Sequence, residues 1–305
     1  MATLLDLTSQ GDVATITDDA YLNRTLQLMD PQQLYALWER QHWQSQAIDL
    51  ERDKEQWAEL ADDQKEEHLW GLSSFFVGEE RVTTQFSGLV MAYEDEQEEA
   101  FLTTQQVDEA RHMQFFDRWF REVAGNDGGI SDRIARSRAD VTDAFVELFD
   151  DHLVKMGERL IADPSDMDAK VDFVSAYHMV IEGTLALTGA RFILRYLKEA
   201  DRLPGFRDGF THVNRDESRH VGFGIRFLND AINTDPHYRD LIQETLTETI
   251  PTAVLAFSPG WVENRYDFDT PFGYHSSEMF EYAMRSLSKK LAAMGMSTEA
   301  IASPA

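Results

Sequence analysis

Two five-residue words in the 305-residue chain share one pattern: Asp108-Glu109-Ala110-Arg111-His112 and Asp216-Glu217-Ser218-Arg219-His220. Each sets a Glu three residues before a His, and on a helix such side chains share a face one turn apart, so both can hold the same metal ion. The bare spacing is a weak signal, because Glu39-Arg40-Gln41-His42 also satisfies it and reads as a chance match in an acidic chain. What sets the other two apart is what precedes them. Glu79 stands 30 residues before Glu109 and Glu182 stands 35 residues before Glu217, each an acid on an apolar stretch. In a helix hairpin, ligands that meet must lie symmetrically about the turn. The midpoints fall near residue 94, in the polar run from Tyr93 to Glu98, and near residue 200, just before Leu203-Pro204-Gly205. Both places are turn-like.

The chain therefore carries one unit twice: a helix with a Glu, a turn, and a helix with Glu-x-x-His. Two single Glu plus two Glu-x-x-His is the inventory of a dinuclear carboxylate site inside a four-helix bundle. The ligand set is Glu79, Glu109, His112, Glu182, Glu217 and His220. Four carboxylates and two neutral imidazoles balance two divalent cations, which removes the penalty of burying four acids together. His178 lies four residues before Glu182 on the same face, but the six-ligand set is complete without it, and it reads as a packed side chain.

Composition narrows the chemistry. With no cysteine, thiolate sites, disulfides and cysteine nucleophiles are excluded. Carboxylate with imidazole suits iron or manganese, and open coordination positions suit oxygen chemistry. Acidic residues number 55 against 28 basic, for a net charge of −27. That argues against nucleic acid or an anionic membrane as partner, since both require basic surface. The absence of a long apolar stretch or a basic, apolar leader points to a soluble, cytoplasmic protein.

These residues need helices to carry them. Helices are expected from Pro31, over 61–92, 97–124, 140–161, 168–200, 205–233, 237–257 and 276–294, with Ala47–Leu50 extended and a Gly/Pro and aromatic-rich loop between Ser258 and Tyr274. Gly and Pro are sparse and no linker divides the chain, so a single all-α domain over residues 1–305 is expected, with 1–20 and 296–305 as flexible ends.

From about Leu34 to about Leu255 the sequence resembles the ferritin-like superfamily, and within it the small subunit of class I ribonucleotide reductase and a related ligand-binding oxidase. The motifs are Val77-Gly78-Glu79-Glu80-Arg81-Val82, the two words above, and the run from Tyr177 through Glu182-Gly183-Thr184-Leu185-Ala186. The resemblance implies a ferritin-like four-helix bundle core with additional helices. Four residues after His112, where common reductase subunits keep a radical-bearing Tyr, stands Phe116. Val82 and Tyr177 match the pair that the oxidase branch joins by an ether cross-link. That branch implies a manganese/iron pair, or a di-iron pair, with a long-chain fatty acid bound over it. It also implies molecular oxygen as co-substrate and a homodimer. Asp216 and Trp43 match the Asp and Trp that lead from a ligand His toward the surface in the reductase. An Asp accepting the second ring N–H of His112 would also be expected simply to tune that ligand. The rival readings are a radical-generating reductase subunit with Phe116 at the Tyr position, and a ferritin-like iron-binding protein.

Overall fold

The structure, a computed structural model, describes residues 28–298. The flexible arm expected over residues 1–20 and most of the tail expected from residue 296 lie outside the described residues. Met296, the first residue of that tail, is buried.

Helix α1 (Pro31–Arg40) starts as its sequence dictates. The Asp30 carboxylate accepts the Gln33 N–H at 2.8 Å, the Gln33 side chain accepts the Asp30 N–H at 3.1 Å, and Pro31 occupies the first turn. A 3₁₀ turn at Ser45–Ala47 replaces the start of the extended stretch expected from Ala47, and only then does the backbone extend, at Ile48. Ile48 and Leu50, which follow it, are buried in the core. Helix α2 (Glu51–Glu59) was not foreseen, because its apolar content is low.

The first hairpin is α3 (Asp62–Met91) and α4 (Glu96–Glu122), turning at residues 92–95. Asp95 stops the turn by accepting the N–H groups of Gln97 and Glu98, both at 2.9 Å. A short α5 (Ile130–Ser137) follows, also unforeseen. Next, α6 (Asp143–Val146) continues through a π-helical stretch (Glu147–Leu153) into α7 (Val154–Ala162). The second hairpin begins with α8 (Met167–Val174), which continues through a longer π-helical stretch (Ser175–Ala186) into α9 (Leu187–Glu199). It returns along α10 (Pro204–Thr234). Helices α11 (His237–Ala256) and α12 (Ser276–Ala293) close the described chain. Among the described residues the only β pairing is one bridge, Asp269 to His275, inside the aromatic loop.

The bundle core is α3, α4, the α8–α9 rod and α10, with α1 on α4, α7 on α3, and α11 and α12 on the π-helical stretch of the rod. This is the all-α, ferritin-like arrangement. Along each of the four core elements the buried apolar residues fall into two groups. Phe86 and Leu89, Phe101 and Leu102, Val174 and Val180, and Val221 and Leu228 belong to one group. Leu72 and Phe76, Phe115 and Trp119, Ile193 and Leu194, and Phe206 and Phe210 belong to the other. The six candidate ligands lie between them on all four elements, as a polar belt between two apolar clusters.

The entry to α10 is fixed from outside the bundle. Asp53 of α2 is wholly buried and accepts the Gly205 and Phe206 N–H groups at 2.8 and 2.7 Å and the Trp119 indole at 3.2 Å. It satisfies two of the donors every helix N-terminus leaves open. A Cβ at Gly205 would sit 2.1 Å from the Asp49 carbonyl oxygen, so only glycine lets the two segments meet there. No helix among the described residues is long and apolar enough to cross a membrane.

Candidate metal centre

Glu79 comes from α3, Glu109 and His112 from α4, Glu182 from the π-helical stretch, and Glu217 and His220 from α10. All six are buried. One donor atom each from Glu79, Glu109, His112 and Glu217 lies within 4.8 Å of the others, and the same is true of Glu109, Glu182, Glu217 and His220. Glu109 and Glu217 belong to both quartets, so they stand where two bridging carboxylates would. His178 joins neither quartet. Its Nε2 faces the Gln105 amide at 3.2 Å. Glu39 is exposed, as is the nearby His42, whose ring meets Arg111 and Trp38 and belongs to neither quartet.

Both imidazoles turn Nδ1 toward the carboxylates. His112 Nδ1 lies 3.2 Å from Glu217 and 3.5 Å from Glu79. His220 Nδ1 lies 3.1 Å from Glu109 and 3.2 Å from Glu182. The other ring nitrogen of each faces an Asp: His112 Nε2 is 3.3 Å from Asp216, and His220 Nε2 is 3.2 Å from Asp108. An Asp accepting the Nε2 proton leaves the Nδ1 lone pair directed into the cluster, the tautomer a metal ligand requires.

These two aspartates are tied together. Arg219, buried between α10 and α4, donates to Asp216 at 2.5 Å and to Asp108 at 2.9 Å. Trp43 donates its indole N–H to Asp216 at 2.6 Å, and Trp38 donates to Asp108 at 2.8 Å. Arg111 pairs with Asp108. Of this network, Asp216 and Trp43 were foreseen, and Asp108, Arg111, Arg219 and Trp38 were missed. The signal was in the repeated word itself, whose Asp and Arg recur at matching places in both copies.

The electrostatics follow from enclosing four acids. Burial, reinforced by Glu109 and Glu217 and opposed by His112, pushes the Glu79 carboxyl up to about 8. Burial and the Glu217 charge hold Glu182 well above the usual carboxylate range. Burial works against charging His112 and His220, but the facing carboxylates, Glu79 for His112 and Glu109 for His220, raise both well above the ordinary imidazole value. Burial likewise opposes ionising Glu109, yet the two imidazoliums hold it below its ordinary value. Without cations, then, the cluster balances its charge with protons. The residues fit a pair of metal ions: His112 Nδ1 and Glu182 Oε2 are buried without a hydrogen-bond partner, and the donors are all hard oxygen or imidazole nitrogen.

An apolar cavity, part of it continuous with solvent, opens onto this belt. Glu79, Glu109, Glu182 and Glu217 form its polar end. Val82 and Tyr177 are both on its wall, and Trp70, Phe257, Phe272 and Met279 lie further along. Tyr177 is fully buried and donates its hydroxyl to Glu109 at 2.7 Å. Burial first, then the neighbouring carboxylates, hold its phenol protonated far above the usual range. Phe116 is not on this wall but behind it, stacked on the wall residue Phe75 and packed among Phe115, Phe206 and Phe210.

Fold and site together define an all-helical, ferritin-like protein with a buried carboxylate–histidine cluster at the bundle's centre. The chain belongs to the family described as ribonucleotide reductase, small chain, whose model matches residues 25–298. It is also similar to solved structures of R2-like ligand-binding oxidase variants. One with an anaerobically reconstituted Mn/Fe cofactor is 26% identical with a TM-score of 0.75, over 87% of this chain and 93% of that one. Another, with an aerobically reconstituted Mn/Fe cofactor, is 28% identical with a TM-score of 0.67, over 74% of this chain and 78% of that one.

Proposed function

We propose that this protein is an oxidoreductase of the ligand-binding oxidase kind, with a dinuclear manganese/iron or di-iron site that uses molecular oxygen and a long-chain fatty-acid-like ligand. The observation that carries the reading is the convergence of six metal-type donors, four of them carboxylates that line an apolar cavity with Val82 and Tyr177 also on its wall. Glu79 and His112 would hold one metal, Glu182 and His220 the other, and Glu109 and Glu217 would bridge. When bound, the pair supplies the redox capacity to reduce oxygen.

The chain's own residues do the rest. Asp216 and Asp108 keep the two imidazoles in the Nδ1-donor tautomer. The apolar wall would take an alkyl chain, and the carboxylate of the ligand would then lie toward the four acids at the polar end. Tyr177 is held neutral, with its oxygen beside the cluster. An ether between the Tyr177 oxygen and a Val82 carbon forms with loss of one hydrogen from each residue, the two electrons passing to oxygen. The protein would act as a soluble, cytoplasmic homodimer.

One feature favours the rival radical-generating subunit. The chain Trp43–Asp216–His112 is continuous from the cluster outward, with Trp43 also stacked on His212. Phe116, however, has no phenol to oxidise.

The test is peptide mass mapping after anaerobic loading with manganese and iron and then exposure to air. The expected result is a linked Val82–Tyr177 peptide pair, lighter than the sum of its parts by two hydrogens and absent from Tyr177→Phe. Unlinked peptides with both metals bound and oxidised would refute the oxidase reading in favour of the rival.

A further inference from the structure

Lys290 of α12 lies outside the four bundle helices, yet it is 1% exposed and reaches into the π-helical stretch that carries Glu182. Its ammonium donates to the Gly183 carbonyl at 2.7 Å, to the Ser286 carbonyl at 3.3 Å and to the Ser286 hydroxyl. Among the described residues no carboxylate pairs with it. Burial, with a smaller push from the Lys289 charge, brings this ammonium down to about 7. An unpaired buried cation is unfavourable, and an apolar side chain of the same length would be better tolerated there. A group kept in spite of that penalty points to its partner.

The partner is a carbonyl that the helix has passed over. In an α-helix the Leu187 N–H would bond the Gly183 oxygen. Here it bonds Glu182 and Thr184 instead. The Thr184 hydroxyl spans the preceding part of the same widened stretch by donating to the Met179 carbonyl at 2.7 Å. Gly183 is forced by the crowding: a Cβ would meet the His178 carbonyl oxygen at 2.6 Å and the Lys290 Cε at 3.2 Å. Widened turns of this kind recur at functional sites. The residue beside the bypassed carbonyl is Glu182, whose Oε1 lies 3.2 Å from His220 and whose Oε2 has no partner.

We propose that Lys290 is a positioning residue for the metal centre: by holding the Gly183 carbonyl it fixes the widened turn and so the placement of Glu182. This rests on the reading of Glu182 as a ligand given above. Lys290 is not on the cavity wall, and its hydrogen bonds go to none of the six candidate ligands. It acts through one backbone carbonyl.

The test compares Lys290→Met with the full-length wild type by equilibrium dialysis against manganese(II), with elemental analysis, by manganese EPR, and by the melting temperature of the metal-free protein. Wild-type protein is expected to bind two ions per chain. If it does not, the assignment of the centre fails before Lys290 is tested. In Lys290→Met one of the two ions should bind at least about tenfold more weakly, as when a partner behind a ligand is lost. The spin-coupled signal should shrink with it whichever way the metal-free melting temperature moves, since a buried charge has gone but the Gly183 carbonyl has lost its donor. A residue that merely stabilised the fold would lower the melting temperature and leave affinity unchanged. Ser286→Ala, which spares the Gly183 contact, should bind both ions as wild type does, and a loss there would overturn the assignment to Gly183. Should Lys290→Met not fold, Lys290→Gln, whose arm is too short for the same bond, gives the same readout. Wild-type affinity and EPR signal in whichever Lys290 variant folds would overturn the proposal.

Discussion

Replacing Gly224 with alanine should disturb the metal centre from a position that supplies no donor atom. Gly224 lies on α10, four residues beyond His220 and on the same face. It packs against His178 of the π-helical stretch so closely that a Cβ would sit 2.3 Å from the His178 Cβ and 2.7 Å from its Cγ. Normal contact begins near 3.4 Å, so the two elements must separate by about 1 Å. Metal sites tolerate departures of only about 0.2 Å in their bond lengths. Glu182 is on one of the separating elements, Glu217 and His220 on the other. Alanine is favoured over glycine inside a helix by about 1 kcal/mol, so propensity alone would raise stability. Overpacking of this kind costs about 1–3 kcal/mol and should outweigh it. The expected result is a melting temperature lowered by a few degrees. One of the two metals should also be lost or weakened at least about tenfold, read by manganese(II) dialysis and elemental analysis. Gly260→Ala is the control, because nothing lies within 4 Å of a Cβ there. Two tightly held metals and an unchanged melting temperature in Gly224→Ala would refute the reasoning.

Glu109→Ala or Glu217→Ala should lose at least one metal by elemental analysis, since each belongs to both donor quartets, and retention of both would sink the ligand assignment. The metal-free protein should lose stability as pH rises. Glu79, raised from 4.5 to about 8, keeps in the folded state a proton that the unfolded chain has released. The raised imidazoles of His112 and His220 contribute stability below their unfolded value of 6.5 that is lost as pH rises toward their folded values. Bound metals displace these protons, so melting curves at about pH 5 and pH 8 should show the fall only without metal. A metal-free protein more stable at the higher pH would contradict the proton balance drawn for the cluster.

Much of the site was legible in order along the chain because ligand spacing on helices is local geometry. Glu79 with Glu109, and Glu182 with Glu217, sit symmetrically about turns that the structure places at residues 92–95 and 200–203. The long helices were legible for the same reason, and their observed ends fall within three residues of those expected. Helix α2 was not, since Glu51–Glu59 has little apolar periodicity and is held by what Asp53 and Trp57 meet elsewhere. The widened turns were also invisible. Nothing in Ser175–Ala186 distinguishes a π-helix from an α-helix until Gly183, Thr184 and Lys290 are brought together.

By itself the sequence determined the donor types, their pairing into two Glu-x-x-His words and two single acids, and the exclusion of thiolate chemistry. Those depend on side-chain identity and on the 3.6-residue helical period. Only the tertiary structure decided that Glu109 and Glu217 are shared between two quartets, that the two Asp–His contacts are joined through Arg219, and that a lysine from α12 supports the turn behind Glu182. These relations join residues far apart in the chain, and the distances between such residues are set by how whole helices pack, which no local pattern encodes.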